Sequence, residues 1–552
     1  VTIEARGWAP IKDAEDPHVR EVAQYAVSEH GRLKHLQLKL DKVVEGETQK
    51  DSGITYRLVL TVEEKGADTK DYTVVVVEEN AKLHLKSFKK EKSKKLHIAM
   101  VPWFAYGHMI PFLHLSNTLA GRGHKVSFLF PNSAHQRLAQ ENQYPHLLSF
   151  FPVTVPHVDG LPPGAETTSD IPLSLFKHLY EAFDKTRPQV QSYLRDLKPD
   201  FVVFTGMAPW IPGLAREDKS SGGGFKTVRY SVVNPIIEAF YLTPSRKMDE
   251  KTTTVDDLMC PPPGFPSSTI HIARHESQQA AIYSKDYNGF TFYDRLTTSF
   301  READVIATRT YREVEGVFFD YVAEQYAKPS LFTGPLLPKT SATTDEKWNN
   351  WLNKFEVGSV VYCAFGSQII LEKDQFQELV LGFELTGRPF LVALSPPQGC
   401  ATVDEALPEG FEERVQGRGW VYGGWVPQTF ILEHPSTGCV VSHFGYGSMW
   451  ESLMSKCQVV VLPFLIDQLF SARWMVKQLK VAVEVERDEN MWVAKENLSQ
   501  AINLVMDEES EIAAEVKSNH ANLRSVICSQ DKEERYLDSF IQGLQLLLES
   551  KN

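Results

Sequence analysis

From Lys95 onward the chain repeats one pattern: a short apolar run ends in a turn and opens a stretch with helical spacing. "LHIAMVPWFA" leads into "MIPFLHLSNTLAGRG", with Pro111 in the first turn of the expected helix, and then "KVSFLFP" follows. Fully apolar runs joined by helices mark parallel strands buried on both faces, because each parallel pair needs a crossover that covers the sheet. "DFVVFTG" and "TVRYSVV" extend this series, separated by the flexible "KSSGGG". A second series starts near Ser359 with "SVVYCAFGS", continues through "KDQFQELVLGFELTG" and "PFLVALS", and closes with "GCVVSHFG" and "CQVVVLPFL". The stretch between them, "FTGPLLPKTSATTDEKW", is rich in Pro, Ser and Thr and reads as a linker. The expectation is two doubly wound, Rossmann-like α/β domains at 96–335 and 348–552, joined by a linker at 336–347. Such sheets take ligands in a crevice beyond the strand C-termini.

Residues 1–85 follow different periods. Asp16 and Pro17 make an N-cap and first-turn proline, and Val19, Val22, Ala23, Ala26 and Val27 form one helical face that Gly31 would close. Alternating runs then predict strands: Leu36, Leu38 and Leu40, followed by Ile54, Tyr56, Leu58, Leu60 and Val62. A small α+β unit results, with "EKGADTK" as a hairpin loop and the basic run "KSFKKEKSKK" (86–95) as a solvated linker.

A formal charge of −13 weighs against nucleic acid as a partner. No apolar run has the length of a membrane span. The six cysteines show no ligand spacing, which fits reduced thiols in the cytoplasm and argues against a zinc site. The sequence starts at Val1, so a trimmed leader is an open expectation.

The stretch "VSHFGYGSMWESL" (441–453) carries the clearest chemistry. A strand runs into a turn with Gly445 and Gly447, and Ser448 opens a helix. Free N–H groups at a helix start and glycines that admit close approach make such a turn a phosphate cradle. Its surroundings, "WVPQTFILEHPSTGCVVSHFGYGSMWESLMSKCQVVVLPFLIDQ" (425–468), resemble the signature box of the plant UDP-dependent glycosyltransferases of family GT1, which have the GT-B fold. The resemblance extends over about 96–552. It implies that Trp425 stacks on uracil, that Gln428 lies beside the nucleoside and that Glu451 takes the ribose hydroxyls. It further implies that His443, Ser448 and Ser367 reach the diphosphate, and that Asp467 and Gln468 bind the donor sugar. Phe444 stands where a cysteine is usual, and Gly447 where an asparagine usually donates to phosphate. The second departure is shared by the branch of the family that adds a sugar to the sugar of a flavonoid, anthocyanin or terpenoid glycoside.

By the same resemblance His108 in "YGHMIP" is the base that takes the acceptor proton in a single inverting displacement, with UDP-sugar as co-substrate and no metal or other cofactor. The family orients this histidine with an aspartate. Aligning on Trp210 puts Gly206 in its place, beside Thr205, with Asp170 as a conceivable substitute. An intact donor site thus stands with an incomplete catalytic pair, and a UDP-sugar-binding protein with impaired catalysis is one alternative.

"GWAPIKDAEDPHV" and "VAQYAVSEH" resemble the plant cystatins, inhibitors of papain-like proteases. Their inhibitory loop has a central apolar residue, but here "QKDSG" keeps only Gln49 and Gly53 around Asp51. Burying an unpaired Asp51 carboxylate in an apolar protease cleft is costly, so this loop is read as vestigial and a cysteine protease is not the expected partner. A cystatin-type protease-binding module is the other alternative for the chain's function.

Overall fold

The computed structural model describes residues 9–11, 13–50, 53–64, 69–90, 95–220, 224–249, 251–286, 289–337, 346–366 and 369–549. It divides into two compact units, Val1–Lys94 and Lys95–Asn552.

The first unit is an antiparallel sheet of β1 (Ala9–Pro10), β2 (Leu38–Lys50), β3 (Ile54–Glu64), β4 (Lys70–Glu79) and β5 (Lys82–Lys90), in that order, packed on helix α1 (Pro17–Lys34). Asp16 caps α1 by accepting from the N–H groups of His18 at 2.9 Å and Val19 at 3.3 Å. The apolar face of α1 meets Leu58, Leu60, Val62, Val74 and Val76 in one core. Two expectations need correction. Gly31 does not stop the helix: it is buried within it, and its carbonyl receives the closing N–H groups of His35 and Leu36 while His35 turns left-handed at φ 53°. The basic run read as a linker from residue 86 instead carries strand through Lys90. A bulge between the pairs Val75–Ser87 and Val76–Leu85 breaks the two-residue period, so Phe88 faces the core and stacks on His30 at 4.0 Å.

The second unit holds two parallel sheets. The first contains β6 (His97–Val101), β7 (Lys125–Pro131), β8 (Leu148–Val153), β9 (Phe201–Phe204), β10 (Lys226–Ser231), β11 (Val305–Thr308) and β12 (Ser330–Phe332), in the order β12-β11-β10-β9-β6-β7-β8. The second contains β13 (Val360–Ala364), β14 (Phe390–Ala393), β15 (Gly419–Tyr422), β16 (Thr437–Ser442), β17 (Gln458–Val461) and β18 (Val483–Glu484), in the order β15-β14-β13-β16-β17-β18. Strands such as Phe201–Phe204 are wholly buried, as sheets covered on both faces require. Each sheet winds outward, returns and winds the other way. The reversal lies between β6 and β9 in one and between β13 and β16 in the other, and such points open the crevices that bind ligands.

Five helices position the site: α2 (Tyr106–Gly121), α3 (Pro235–Tyr241), α4 (Tyr446–Met454), α5 (Ile466–Arg473) and α6 (Lys532–Glu549). Pro111 lies inside α2 instead of in its first turn, because the helix already starts at Tyr106, where His108 and Met109 both donate to the Ala105 carbonyl at 2.9 Å. The last helix, α6, sets Leu537, Phe540, Ile541 and Leu544 into the core built on β6, β7 and α2. Among the described residues no helix is long and apolar enough to cross a membrane.

Candidate active site at the two sheet reversals

At the second reversal, β16 ends at Ser442 and the chain turns through His443, Phe444 and Gly445 into α4. Phe444 is left-handed at φ 62°, held by its N–H donating to Ser442 Oγ at 3.1 Å. His443 is buried between two glycines. A Cβ on Gly445 would fall 2.4 Å from its Nε2, and one on Gly366 would fall 3.3 Å away, so the ring occupies space that only glycine leaves. Burial pushes its pKa down to about 4, against a weaker opposite effect of the Ala364 carbonyl, so at neutral pH the ring is uncharged. Gly447 and Ser448 lie in the first turn of α4, which holds no acidic residue. No carboxylate of that turn therefore offsets the positive helix end.

Gln428 ties this turn to Glu451. Its amide donates to the Glu451 carboxylate and to Ser448 Oγ (3.3 Å), and its carbonyl accepts from Tyr362 at 3.2 Å. Burial raises the Glu451 pKa, while the Gln428 bond and the Arg309 charge act against that rise. Trp425 stands 80% exposed, an open aromatic face at the rim. Asp467 and Gln468 begin α5. Gln468 Oε1 accepts from the N–H groups of Phe464 (2.9 Å) and Leu465 (3.1 Å), so its carbonyl serves as a cap and its amide N–H₂ remains for a ligand. Burial raises the Asp467 pKa. Ser367 lies outside the described residues, as does Asp51 of the first unit. Gly53 has a plain structural reason: a Cβ there would sit 2.3 Å from the Glu78 carbonyl oxygen. Gln49 pairs with Thr55 in the β2–β3 ladder.

At the first reversal His108 projects from the start of α2, partly exposed, with Thr205 Oγ1 3.3 Å from its Nδ1. Burial, reinforced by the Arg229 cation, lowers its pKa to about 4. Gly206 does not face the imidazole: a Cβ there meets Arg229 Nη2 and Leu296 Cδ2, each at 2.9 Å. Asp170 offers no substitute, because its exposed carboxylate is occupied capping its own turn through Glu166 N–H, Thr167 N–H and Thr167 Oγ1.

Several site residues escaped the sequence reading. Arg229 pairs with Glu238 of α3 at 2.9 Å, both buried; an Arg within the apolar "TVRYSVV" and a Glu within "PIIEAF" were the available signals. Asn234 caps α3 and donates to the Asp467 carbonyl at 2.7 Å, linking the two sheets' domains. Glu315, whose pKa burial raises to about 7, accepts from Tyr446 at 2.8 Å and Thr310 at 2.7 Å, anchoring the first residue of α4. Nothing local in the sequence announced that contact.

Residues 354–528 match the family model described as UDP-glucoronosyl and UDP-glucosyl transferase, and residues 11–91 match that described as aspartic acid proteinase inhibitor. The second unit is also similar to solved structures. One is Arabidopsis thaliana UGT89C1, with TM-score 0.64 and 22% identity, covering 82% of this chain and 100% of that one. Another is a transferase from Siraitia grosvenorii in complex with UDP, with TM-score 0.67 and 21% identity, covering 82% and 100%. These share the GT-B fold. An Arabidopsis thaliana anthocyanidin 3-O-glucoside 2'''-O-xylosyltransferase is 47% identical, over 84% of this chain and 99% of its own length. UDP-glycosyltransferase 79B9 of the same plant is 48% identical, over 83% and 99%. By these relatives and the family match, the chain belongs to the plant UDP-glycosyltransferases and is a UDP-sugar-dependent glycosyltransferase with a cystatin-like unit N-terminal to its GT-B fold.

Proposed function

We propose that this enzyme adds a sugar to the sugar of a flavonoid or anthocyanin glycoside, in the cytoplasm, by one inverting displacement without a metal. The observation that carries the reading is the pairing of the two sheet reversals: one presents an uncharged, partly exposed His108, the other a helix start free of acidic residues. An acceptor hydroxyl oxygen attacks the anomeric carbon as its proton passes to His108 Nε2. The bond from that carbon to the phosphate oxygen breaks, and UDP leaves with the electron pair toward His443, Ser448 and the N-terminus of α4. Glu451 and Gln428 hold the ribose, Trp425 covers the uracil, and Asp467 with the Gln468 amide binds the donor sugar. Relatives at 47–48% identity, one of them named for transfer to an anthocyanidin 3-O-glucoside, support the acceptor class.

The test is a mass-spectrometric transfer assay with an anthocyanidin 3-O-glucoside and UDP-xylose, UDP-glucose or UDP-rhamnose, in EDTA. Product that disappears in His108→Ala supports the reading. UDP binding without transfer to any glycoside would instead make the chain a UDP-sugar-binding protein.

The match of residues 11–91 favours a second reading for the first unit, as a module that binds an aspartic proteinase. Titrating the whole chain into pepsin and papain decides it: inhibition of pepsin alone is expected, and inhibition of neither leaves the unit without a protease partner.

A further inference from the structure

We infer that Thr205, one residue before Gly206, is the positioning partner of His108. The inference rests on the reading of His108 as the base. Counting back from Trp210 selects Gly206, but the side chains select Thr205. Thr205 follows directly on β9, and its N–H donates to the Val101 carbonyl at 3.1 Å, which fixes it beside the end of β6. From there its buried Oγ1 lies 3.3 Å from His108 Nδ1.

The space behind Gly206 is already filled. Arg229 pairs with Glu238 at 2.9 Å, donates from Nε to Ser299 Oγ at 3.1 Å and lies 3.5 Å over the Phe300 ring. A carboxylate at 206 would be drawn to that guanidinium, away from the imidazole.

The chemistry follows from the hydroxyl. When His108 Nδ1–H donates to Thr205 Oγ1, the tautomer is set and the Nε2 lone pair faces the acceptor. A neutral hydroxyl orients the ring but adds no charge to stabilise the imidazolium formed as the proton arrives. The charged group acting on His108 is Arg229 of β10, itself paired with Glu238 of α3, and a cation disfavours the imidazolium.

The experiment compares Thr205→Val, Thr205→Ser, Thr205→Asp, Gly206→Asp and His108→Ala in the transfer assay, with UDP affinity by calorimetry as the check on folding. Loss of the hydroxyl in Thr205→Val should lower kcat roughly threefold to tenfold, the worth of one neutral hydrogen bond, with UDP-sugar KM unchanged. Thr205→Ser should stay within about twofold. Thr205→Asp should raise kcat and move the acidic limb of kcat/KM to higher pH, because a carboxylate raises the pKa of the base. Gly206→Asp should do neither. In histidine labelled with ¹⁵N, the ring-nitrogen shifts of wild type should report an Nδ1–H tautomer that Thr205→Val loses. A Thr205→Val enzyme with wild-type kcat and pH profile, or activation by Gly206→Asp and not by Thr205→Asp, overturns the inference. Should Thr205→Val fail to bind UDP, the Ser and Asp variants decide. Full turnover in His108→Ala would instead remove the base reading beneath it.

Discussion

Gly447→Asn is the most direct probe of the phosphate cradle, because the structure separates its two consequences. Gly447 is the second residue of α4, and a Cβ there has no heavy atom within 4 Å, so the asparagine enters open space at the helix mouth. Replacing a helical glycine gains a few tenths of a kcal/mol with asparagine and about 1 kcal/mol with alanine. A side-chain amide at the second helical position also adds a donor toward an anion bound there. A hydrogen bond to a charged group is worth about 1.5–3 kcal/mol, roughly a tenfold to 150-fold gain in affinity. Gly447→Ala carries the backbone gain without the donor and serves as the control. Calorimetric titration with UDP should show Gly447→Asn binding at least about tenfold tighter than wild type and Gly447→Ala binding within about twofold of it, both with a raised melting temperature. If asparagine binds UDP no more tightly than alanine, the diphosphate does not sit at the start of α4 and the cradle reading fails.

Three further outcomes follow from the same geometry. Gly445→Ala puts a Cβ 2.4 Å from His443 Nε2 and must displace the ring, so UDP affinity should fall about tenfold or more while the melting temperature changes little; unchanged affinity would take His443 out of the donor site. Glu238→Ala leaves Arg229 buried without its partner, a loss of about 3–5 kcal/mol that thermal denaturation should register, and a double variant with Arg229→Met should recover much of it. Glu315 has a folded pKa raised from 4.5 to about 7, so between those values the folded state holds more protons and its stability falls as pH rises. Melting curves of wild type and Glu315→Gln from pH 5 to 8 should therefore show wild type losing ground to the variant up to about pH 7 and level above it; parallel curves would contradict the assignment.

The donor half of the candidate site could be read from the sequence because it is local. One strand, one turn and one helix carry His443, Gly445, Gly447, Ser448 and Glu451 within a dozen residues, and glycine at 445 reports a contact two residues away. The alternation of apolar runs and helices likewise gave both sheets, since burial on both faces leaves little choice of residue in the strands. What escaped was whatever depended on a partner distant in the chain. The Asn234–Asp467 contact joins residues 233 apart in the chain, and the Tyr446–Glu315 bond joins residues 131 apart. In the first unit a single bulged residue hid the end of β5, because one extra residue reverses which side chains face inward. Thr205 was read only as the neighbour of the expected acid position, because its contact with His108, 97 residues away in the chain, is set by where β9 ends.

A hydroxyl beside His108, as inferred above, bears on what kind of catalyst this would be. A general base works best when its pKa lies near the working pH, because a lower value keeps it unprotonated but weakens its pull on the acceptor proton. As the proposed base, His108, its pKa lowered to about 4 by burial and by Arg229, would be unprotonated at neutral pH and intrinsically weak. The displacement must then draw more of its drive from the departing UDP. In the proposed mechanism, stabilising charge on that group falls to the helix end, to Ser448 and to the closely packed His443, and the first turn of α4 holds no competing acid. The arrangement is consistent within itself. A base set by a hydroxyl can serve where the leaving group is held well, and removing donors to UDP should cost more turnover than removing Thr205's hydroxyl. Comparing Ser448→Ala with Thr205→Val in kcat orders the two effects; a larger loss from Thr205→Val would place the burden on the base.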